Sequence, residues 1–323
     1  MRVLLVKLSS MGDVIHNLPV VSDLARRYPE IEIDWVTEAP YAGLVALHPK
    51  VRRVIPIQLR HLKKNWWSLA AWRTFFADKA QLGAGTYDTI LDTQGLIKSA
   101  LVSHWANGPI AGFSRASVRE PLASRFYDRS IDVPRHLHAV ERNRRLAAGA
   151  FGYELVNQVD YGLQLPATTS SAASPPYAVF LHATSRADKK WPQTHWVALG
   201  QRLHDRGFGI VLPWGNAAER LASEQLAKLI PTATVPAAMS LVQAAGLLSQ
   251  ASAVIGVDTG LAHLAVALSR PTVGLFLTSF PTLTGLYGTE RVINLGGGSV
   301  QQPAAPSVDE TSNALDTLLG PQQ

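Results

Sequence analysis

An α/β protein of two domains, each a parallel sheet with crossover helices, is predicted by three observations. The chain has 323 residues, well beyond the ~150 of a single domain. Short Val/Ile/Leu runs alternate with helical patterns along its length, as they do when parallel strands are joined by helices. The alternation is interrupted once, at Pro166-Ala-Thr-Thr-Ser-Ser-Ala-Ala-Ser-Pro-Pro176, a run without charge or large apolar side chains that reads as an interdomain linker. Residues 1–165 and 177–306 are then the two domains, 166–176 the linker, and 307–323 a terminal helix.

In the first half the strands are expected at Val3 to Val6, Ile33 to Val36, Val54 to Ile57, Thr89 to Asp92 and Ile110 to Phe113, with helices between them. After the linker they are expected at Ala178 to His182, Gly209 to Pro213, Ala253 to Val257 and Thr272 to Leu277, alternating with helices near 194–206, 216–229, 240–250 and 260–268. Ser307-x-x-Glu310 is a capping-box pattern that opens an amphipathic helix to Leu319, and Gly320-Pro321 stops it. Spacing does not say where this helix docks. No internal repeat is visible.

Composition narrows the class. With 47% hydrophobic residues and 17% charged, and a mean hydropathy of +0.06, the chain reads as a soluble globular protein. It has no cysteine, which removes thiolate nucleophiles and Cys-ligated zinc or iron–sulfur centres and is compatible with a reducing compartment. Four apolar residues before Lys7 are too few for a signal-peptide core, so export is not expected. The uncharged stretch between Lys228 and Asp258 is interrupted by Pro231, Pro236, Ser240, Gln243, Gly246 and Gln250, so it reads as buried α/β structure and not as a membrane span.

The net charge of +6 is unevenly placed: residues 1–165 hold 21 basic and 15 acidic side chains, and 166–323 hold 9 of each. Residues 50–79 carry eight basic groups against Asp78 alone, which implies an anionic ligand or surface. Within that stretch, 59–76 mixes basic and aromatic residues as interfacial helices do; a core-facing helix with a solvated basic face is the other reading.

In parallel α/β folds the loops after strands carry the ligand. The first is Lys7-Leu-Ser-Ser-Met-Gly-Asp13, with Asp13 at a helix start, where the dipole favours a carboxylate by about 0.3 to 1 kcal/mol. Asp13 is an N-terminal helix residue or a general base; its place in the first loop favours the base. The second is His182-Ala-Thr-Ser-Arg-Ala-Asp-Lys-Lys190, whose hydroxyls and lysines suit diphosphate oxygens, although an ordinary polar loop reads the same way. The third is Asp258-Thr-Gly-Leu-Ala-His263. Gly260 permits a tight turn there, the helix amides suit a phosphate, and Asp258, which would repel a phosphate, suits a neutral hydroxyl or a cap.

Rival motifs fail. A single Asp-Thr-Gly followed by a helical run is not an aspartic-protease dyad. No Gly-x-Gly-x-x-Gly follows a strand, since Gly83-Ala-Gly85 leads to Asp88, and there is no Walker loop. The histidines, His136 and His138 included, form no His-Glu-x-x-His, so no metal ligands are assigned.

Six ordered blocks carry a specific resemblance: Met1-Arg-Val-Leu-Leu-Val-Lys-Leu-Ser-Ser-Met-Gly-Asp13, Asp92-Thr-Gln-Gly-Leu-Ile-Lys-Ser99, Arg119-Glu-Pro-Leu-Ala-Ser124, Phe180-Leu-His-Ala-Thr-Ser185, Leu212-Pro-Trp-Gly215 and Val257-Asp-Thr-Gly-Leu-Ala-His263. From Met1 to about Gly288 the chain resembles the ADP-heptose:LPS heptosyltransferases, glycosyltransferase family 9. The resemblance implies a GT-B fold, two Rossmann-like domains whose parallel sheets face across a central cleft, with the C-terminal helix crossing back to the first domain. It implies inverting transfer of L-glycero-D-manno-heptose from ADP-heptose to the inner Kdo of Kdo2-lipid A, with no cofactor and no obligatory metal.

By the same resemblance Asp13 is the base, with Ser10 and Gly12 of its loop at the donor. Thr184, Ser185 and Lys189 bind the diphosphate, and Asp258, Thr259, Gly260 and His263 lie at the donor sugar and phosphates. Glu219 is placed at the ribose and Met239 on the adenine side. Arg60, Lys63, Lys64 and Arg119 are the acceptor-side candidates. The implied partners are ADP-L-glycero-D-manno-heptose, Kdo2-lipid A and the cytoplasmic face of a Gram-negative inner membrane, bound peripherally, with no nucleic acid. The sequence departs from the family after Leu277, where Thr278-Ser-Phe-Pro-Thr282 stands in place of a Thr-Asp-Pro-like turn, so no donor contact is carried onto that loop. A later core heptose as acceptor, another donor, an epimerase on the same fold, and a non-catalytic polyanion binder are the competing functions. The last would have no use for nucleotide-sugar loops.

Overall fold

The computed structural model describes residues 1–166, 176–184, 186–288, 290–299, 301–302 and 304–320. The chain divides into two compact units, Met1–Gln164 and Leu165–Gln323. Most of the proline-bounded run expected as a linker lies outside the described residues.

The first unit is a six-stranded sheet formed by β1 (Arg2–Val6), β2 (Glu32–Glu38), β3 (Val51–Ile57), β4 (Thr89–Asp92), β5 (Ile110–Phe113) and β6 (Arg129–Ile131), in the order β3-β2-β1-β4-β5-β6. Every pairing is parallel. Parallel strands are covered by helices on both faces, which is why Val3 to Val6 is apolar throughout and fully buried. The second unit repeats the plan with β7 (Tyr177–Leu181), β8 (Gly209–Val211), β9 (Ala233–Thr234), β10 (Ala253–Val257), β11 (Thr272–Phe276) and β12 (Val292–Gly296), in the order β12-β11-β10-β7-β8-β9, again all parallel. In each sheet the order reverses beside its first strand, between β1 and β4 and between β7 and β10. A crevice opens at such a point, where successive loops leave in opposite directions.

Three strands went unread in the sequence: β6, β9 and β12. Two of them, β6 and β9, are two or three residues long, and all three are edge strands with partly exposed side chains. An edge strand is covered less than a central one, so it needs no continuous apolar run. β2 also runs past its expected end and contains a buried acid, Asp34, which takes Arg52 Nη2 at 2.7 Å and Tyr87 Oη at 2.9 Å.

The terminal helix is Val308–Leu319, opened as expected by a capping box in which Ser307 N donates to Glu310 Oε2 at 2.7 Å and Glu310 N to Ser307 Oγ at 3.1 Å. Its apolar stripe packs on the second unit. Ala314 and Leu315 are buried in the second unit's core with Trp196, Leu199 and Val273. Trp191 Nε1 donates to Pro306 O at 2.7 Å just ahead of the helix, and Arg206 pairs with Asp316 at 2.6 Å. An amphipathic stripe specifies only that a helix must be covered; the groove that covers it comes from the helix Gln193–Asp205 and β11.

Candidate active site

In the first unit the loop after β1 meets the loop after β4. Asp92, at the end of β4, is fully buried, and burial raises its carboxyl above the usual range against the hydrogen bonds it accepts. Those bonds come from Gln94 N (2.8 Å), Gly95 N (3.2 Å), Ser99 Oγ (2.8 Å) and Tyr127 Oη (2.8 Å). They fold the Thr93-Gln94-Gly95 turn, and Gly95 takes the left-handed conformation the turn requires, with φ +68°. Gln94 is thereby aimed at the first loop, where its Oε1 accepts Leu8 N at 3.1 Å and Ser9 N at 3.2 Å.

The chain then enters the short helix Met11–Ile15. Asp13 Oδ2 accepts Ser10 N at 2.8 Å and Ser10 Oγ at 3.0 Å. One carboxylate oxygen is thus held by its own loop, and Oδ1 takes no hydrogen bond among the described residues. Asp13 lines a pocket with Lys7, Gln94, Arg119, Arg142 and Asn143. Lys7 is buried, with Nζ 2.5 Å from Thr93 O and 3.4 Å from Asn143 Oδ1. Burial pushes its ammonium down to about 8, against the opposing pull of Asp13 and Asp92. Arg142 lies over the Phe113 ring at 4.9 Å and donates to Ser117 O, while its Nε is buried without a hydrogen-bond partner. Burial, then the charges of Arg135 and Arg119, lower this guanidinium from its usual value. Three cations around one acid make a pocket that attracts an anion.

Of the four acceptor-side candidates, Arg119 lines this pocket. Arg60, Lys63 and Lys64 lie instead on the exposed helix Leu59–Lys64 that follows the edge strand β3, where Arg60 Nη1 donates to Tyr41 Oη at 3.2 Å. Lys7, Gln94, Arg142 and Asn143 were missed. Lys7 and Gln94 stood inside two of the six sequence blocks; Arg142 and Asn143, on the helix Ala139–Phe151, carried no signal beyond charge.

In the second unit the expected donor residues follow the carboxyl ends of β7, β8, β9 and β10 and so share one edge of the sheet. Lys189, after β7, places Nζ 2.5 Å from Asp258 Oδ2, after β10. Ser279 Oγ donates to the same oxygen at 3.0 Å, and His263 Nε2 lies 3.8 Å from Asp258 Oδ1. Burial works to raise the Asp258 carboxyl, but the contacts with His263 and Lys189 outweigh it and hold it well below the usual carboxylate range. Thr278 Oγ1 donates to Asp188 Oδ2 at 3.0 Å. The loop after β11, onto which no contact was carried, therefore reaches this cluster through two hydroxyls.

Thr184 is half-buried in the loop after β7, and Ser185 lies outside the described residues. Thr259 caps the helix Gly260–Ala267, and Gly260 is its first helical residue. The amides of a helix's first turn lack acceptors within the helix, and this is the end that faces the loop. Glu219 folds back on its own helix, Ala217–Ala227, accepting Gly215 N at 2.8 Å and Asn216 Nδ2 at 2.7 Å. Met239, half-buried, immediately precedes Ser240, the cap of the helix Leu241–Gln250. Trp214 Nε1 donates to Pro236 O at 2.9 Å and ties the loops after β8 and β9 together.

The sequence model described as Glycosyltransferase family 9 (heptosyltransferase) matches residues 75–315. The chain belongs to glycosyltransferase family 9. It is 45% identical over 316 residues to lipopolysaccharide heptosyltransferase 1 of Pseudomonas aeruginosa, spanning 96% of this chain and 87% of that one. Among solved structures, the E. coli heptosyltransferase WaaC with ADP matches with a TM-score of 0.89 at 38% identity, covering 98% of this chain and 100% of that chain. The same enzyme with ADP-2-deoxy-2-fluoro heptose matches with a TM-score of 0.86 at 37% identity, covering 98% and 99%. This glycosyltransferase has the α/β, GT-B class expected from its sequence. No helix among its described residues is long and apolar enough to cross a membrane.

Proposed function

We propose that this glycosyltransferase transfers L-glycero-D-manno-heptose from ADP-heptose to the inner Kdo of Kdo2-lipid A, with inversion and with Asp13 as the general base. The observation that carries the reading is the Asp13 carboxylate, fixed by Ser10 and set in a pocket with Lys7, Arg119 and Arg142. The acceptor hydroxyl oxygen attacks the anomeric carbon, its proton passes to Asp13, and the bond from that carbon to the ADP phosphate oxygen breaks with the electron pair leaving on ADP. A base on an ordered loop contributes about 10² to 10⁴ in rate. The cationic pocket suits the Kdo carboxylate by charge. Arg60, Lys63 and Lys64 extend the same charge toward the acceptor's phosphates.

The donor is assigned to the second unit. Lys189, Thr184, Ser185 and the first amides of the helix Gly260–Ala267 meet the diphosphate; Asp258, Thr259 and His263 meet the heptose; Glu219 and Met239 meet the nucleoside; Ser10 and Gly12 border the donor from the Asp13 loop. An ammonium group and oriented amides stabilise charge growing on ADP, so no metal is obligatory. The similarity to a lipopolysaccharide heptosyltransferase 1 and to a heptosyltransferase solved with ADP supports this pairing of substrates. A lipid acceptor places the work at the cytoplasmic face of the inner membrane.

The test is transfer followed by mass spectrometry with ADP-heptose, Kdo2-lipid A and EDTA, beside an Asp13→Ala control. A gain of one heptose in EDTA, lost in the variant while ADP still binds, is expected. Unchanged turnover in the variant would remove Asp13 as base, and transfer only to an acceptor that already carries heptose would move the enzyme to a later step.

A further inference from the structure

The helix Leu69–Gly83 has two apolar faces, and the protein covers one of them. Ala71, Asp78 and Leu82 are buried, and Asp78 accepts Gln58 N at 2.9 Å, which fixes this helix to the preceding one. The opposite face carries Leu69 and Phe76, 79% and 59% exposed, with Trp72 between them at helical spacing. Just ahead of it Trp66 and Trp67 are 66% and 69% exposed. The rings support one another: Trp72 Nε1 donates to Trp66 O at 2.7 Å, Trp66 and Trp67 meet edge to face at 6.0 Å, and Trp72 and Phe76 both rest on the half-buried Phe75, which packs on Trp105 at 5.1 Å. Exposed aromatic groups of this size, held in place without cover, mark an interaction surface. Arg73 and Lys79 are exposed on the same helix, and Lys63 and Lys64 are exposed at the end of the helix before it.

We propose that this face docks on an anionic lipid bilayer, with Trp66, Trp67, Leu69 and Phe76 in the headgroup region and the lysines and Arg73 against lipid phosphates. The surface deepens the function proposed above, since a lipid-anchored acceptor must be met at a membrane, and it rests on that reading for its purpose alone. Tryptophan and phenylalanine beside lysine and arginine are the pairing that interfacial anchors use. A second copy of the chain would set the same cations against each other across a two-fold contact, which disfavours self-association through this face.

The test is co-sedimentation of the whole protein with phosphatidylcholine vesicles, with and without phosphatidylglycerol and without acceptor. Binding that requires phosphatidylglycerol is expected. Trp67→Ser and Phe76→Ser should each lower the partition coefficient about tenfold, and Arg73→Gln and Lys79→Gln about fivefold each. All four should keep their turnover on a water-soluble, deacylated acceptor, which shows that they are folded. Equal binding by the variants, or no preference for anionic vesicles, overturns the proposal. So does a change of oligomeric state in the aromatic variants, which would make the face a protein interface. Vesicle binding without any heptose transfer would fail the proposed reaction and leave this surface standing.

Discussion

Lys189 Nζ lies 2.5 Å from Asp258 Oδ2, so the cation suited to the donor's diphosphate is paired with the carboxylate suited to its sugar. The pair answers a difficulty evident in the sequence, where an acid beside a phosphate site should repel the ligand. Lys189 offsets the Asp258 charge, and His263 and Lys189 together hold the carboxyl in its ionised form. On the donor site proposed above, diphosphate binding requires Lys189 to share or exchange this partner.

Substitutions at the two ends of the pair should therefore differ in sign for ADP alone. Lys189→Ala removes a charge-assisted contact and exposes the diphosphate to Asp258, weakening ADP by about 2 kcal/mol, roughly 30-fold. Asp258→Ala releases Lys189, so ADP should bind as well as before or better while heptose transfer falls. Calorimetry with ADP and turnover with ADP-heptose separate the two. Equal weakening of ADP by both would show that the pair acts only as a structural brace.

Gln94 acts through the loop it holds. With Gln94→Leu, the amides of Leu8 and Ser9 lose their acceptor and the Asp13 loop loses its register. Each lost bond is worth about 1 kcal/mol. The expected result is a fall in kcat of about tenfold or more with ADP affinity unchanged. A change confined to ADP binding would contradict this positioning role.

The Lys7 ammonium, pushed down to about 8 by burial, gives two slopes of opposite sign. Its charge is lost as pH rises through about 8, so on the acceptor pocket proposed above kcat/KM for the acceptor should fall above that pH. In the unfolded chain the group keeps a value near 10.4, so between about 8 and 10.4 the unfolded state binds more protons and Lys7 makes stability rise with pH. Denaturant titrations of the wild type and Lys7→Met across this window, beside their pH–rate profiles, should show both slopes only in the wild type. A rate profile that keeps its basic limb in Lys7→Met would assign the limb to another group.

Arg144 braces the helix that carries Arg142 and Asn143. It is buried, with Nε 2.7 Å and Nη2 3.2 Å from the Asp23 carboxylate, and it donates further to Val156 O and Gln158 O. Arg144→Met leaves the buried Asp23 with the partly exposed Arg26 at 3.5 Å in place of its bidentate partner and should cost up to about 3 to 5 kcal/mol in chemical denaturation. A loss below about 1 kcal/mol would mean that water replaces the guanidinium.

The strands at the centre of each sheet were legible because burial on both faces writes itself as an apolar run: β4, β5 and β10 fall where Thr89 to Asp92, Ile110 to Phe113 and Ala253 to Val257 placed them. The capping box at Ser307 was legible because its two hydrogen bonds join residues three apart. The loops bearing Asp13, Lys189 and Asp258 could be singled out because their chemistry is written in consecutive residues. Tertiary structure alone decided what crosses between elements. It joined Lys189 to Asp258 across 69 positions, set Gln94 under the Asp13 loop, gathered Lys7, Arg119 and Arg142 into one pocket, and seated the terminal helix on the second core. Hydrogen bonding within a turn depends on neighbours in the chain, whereas these pairings depend on strand order, and strand order is fixed by the packing of whole sheets and helices.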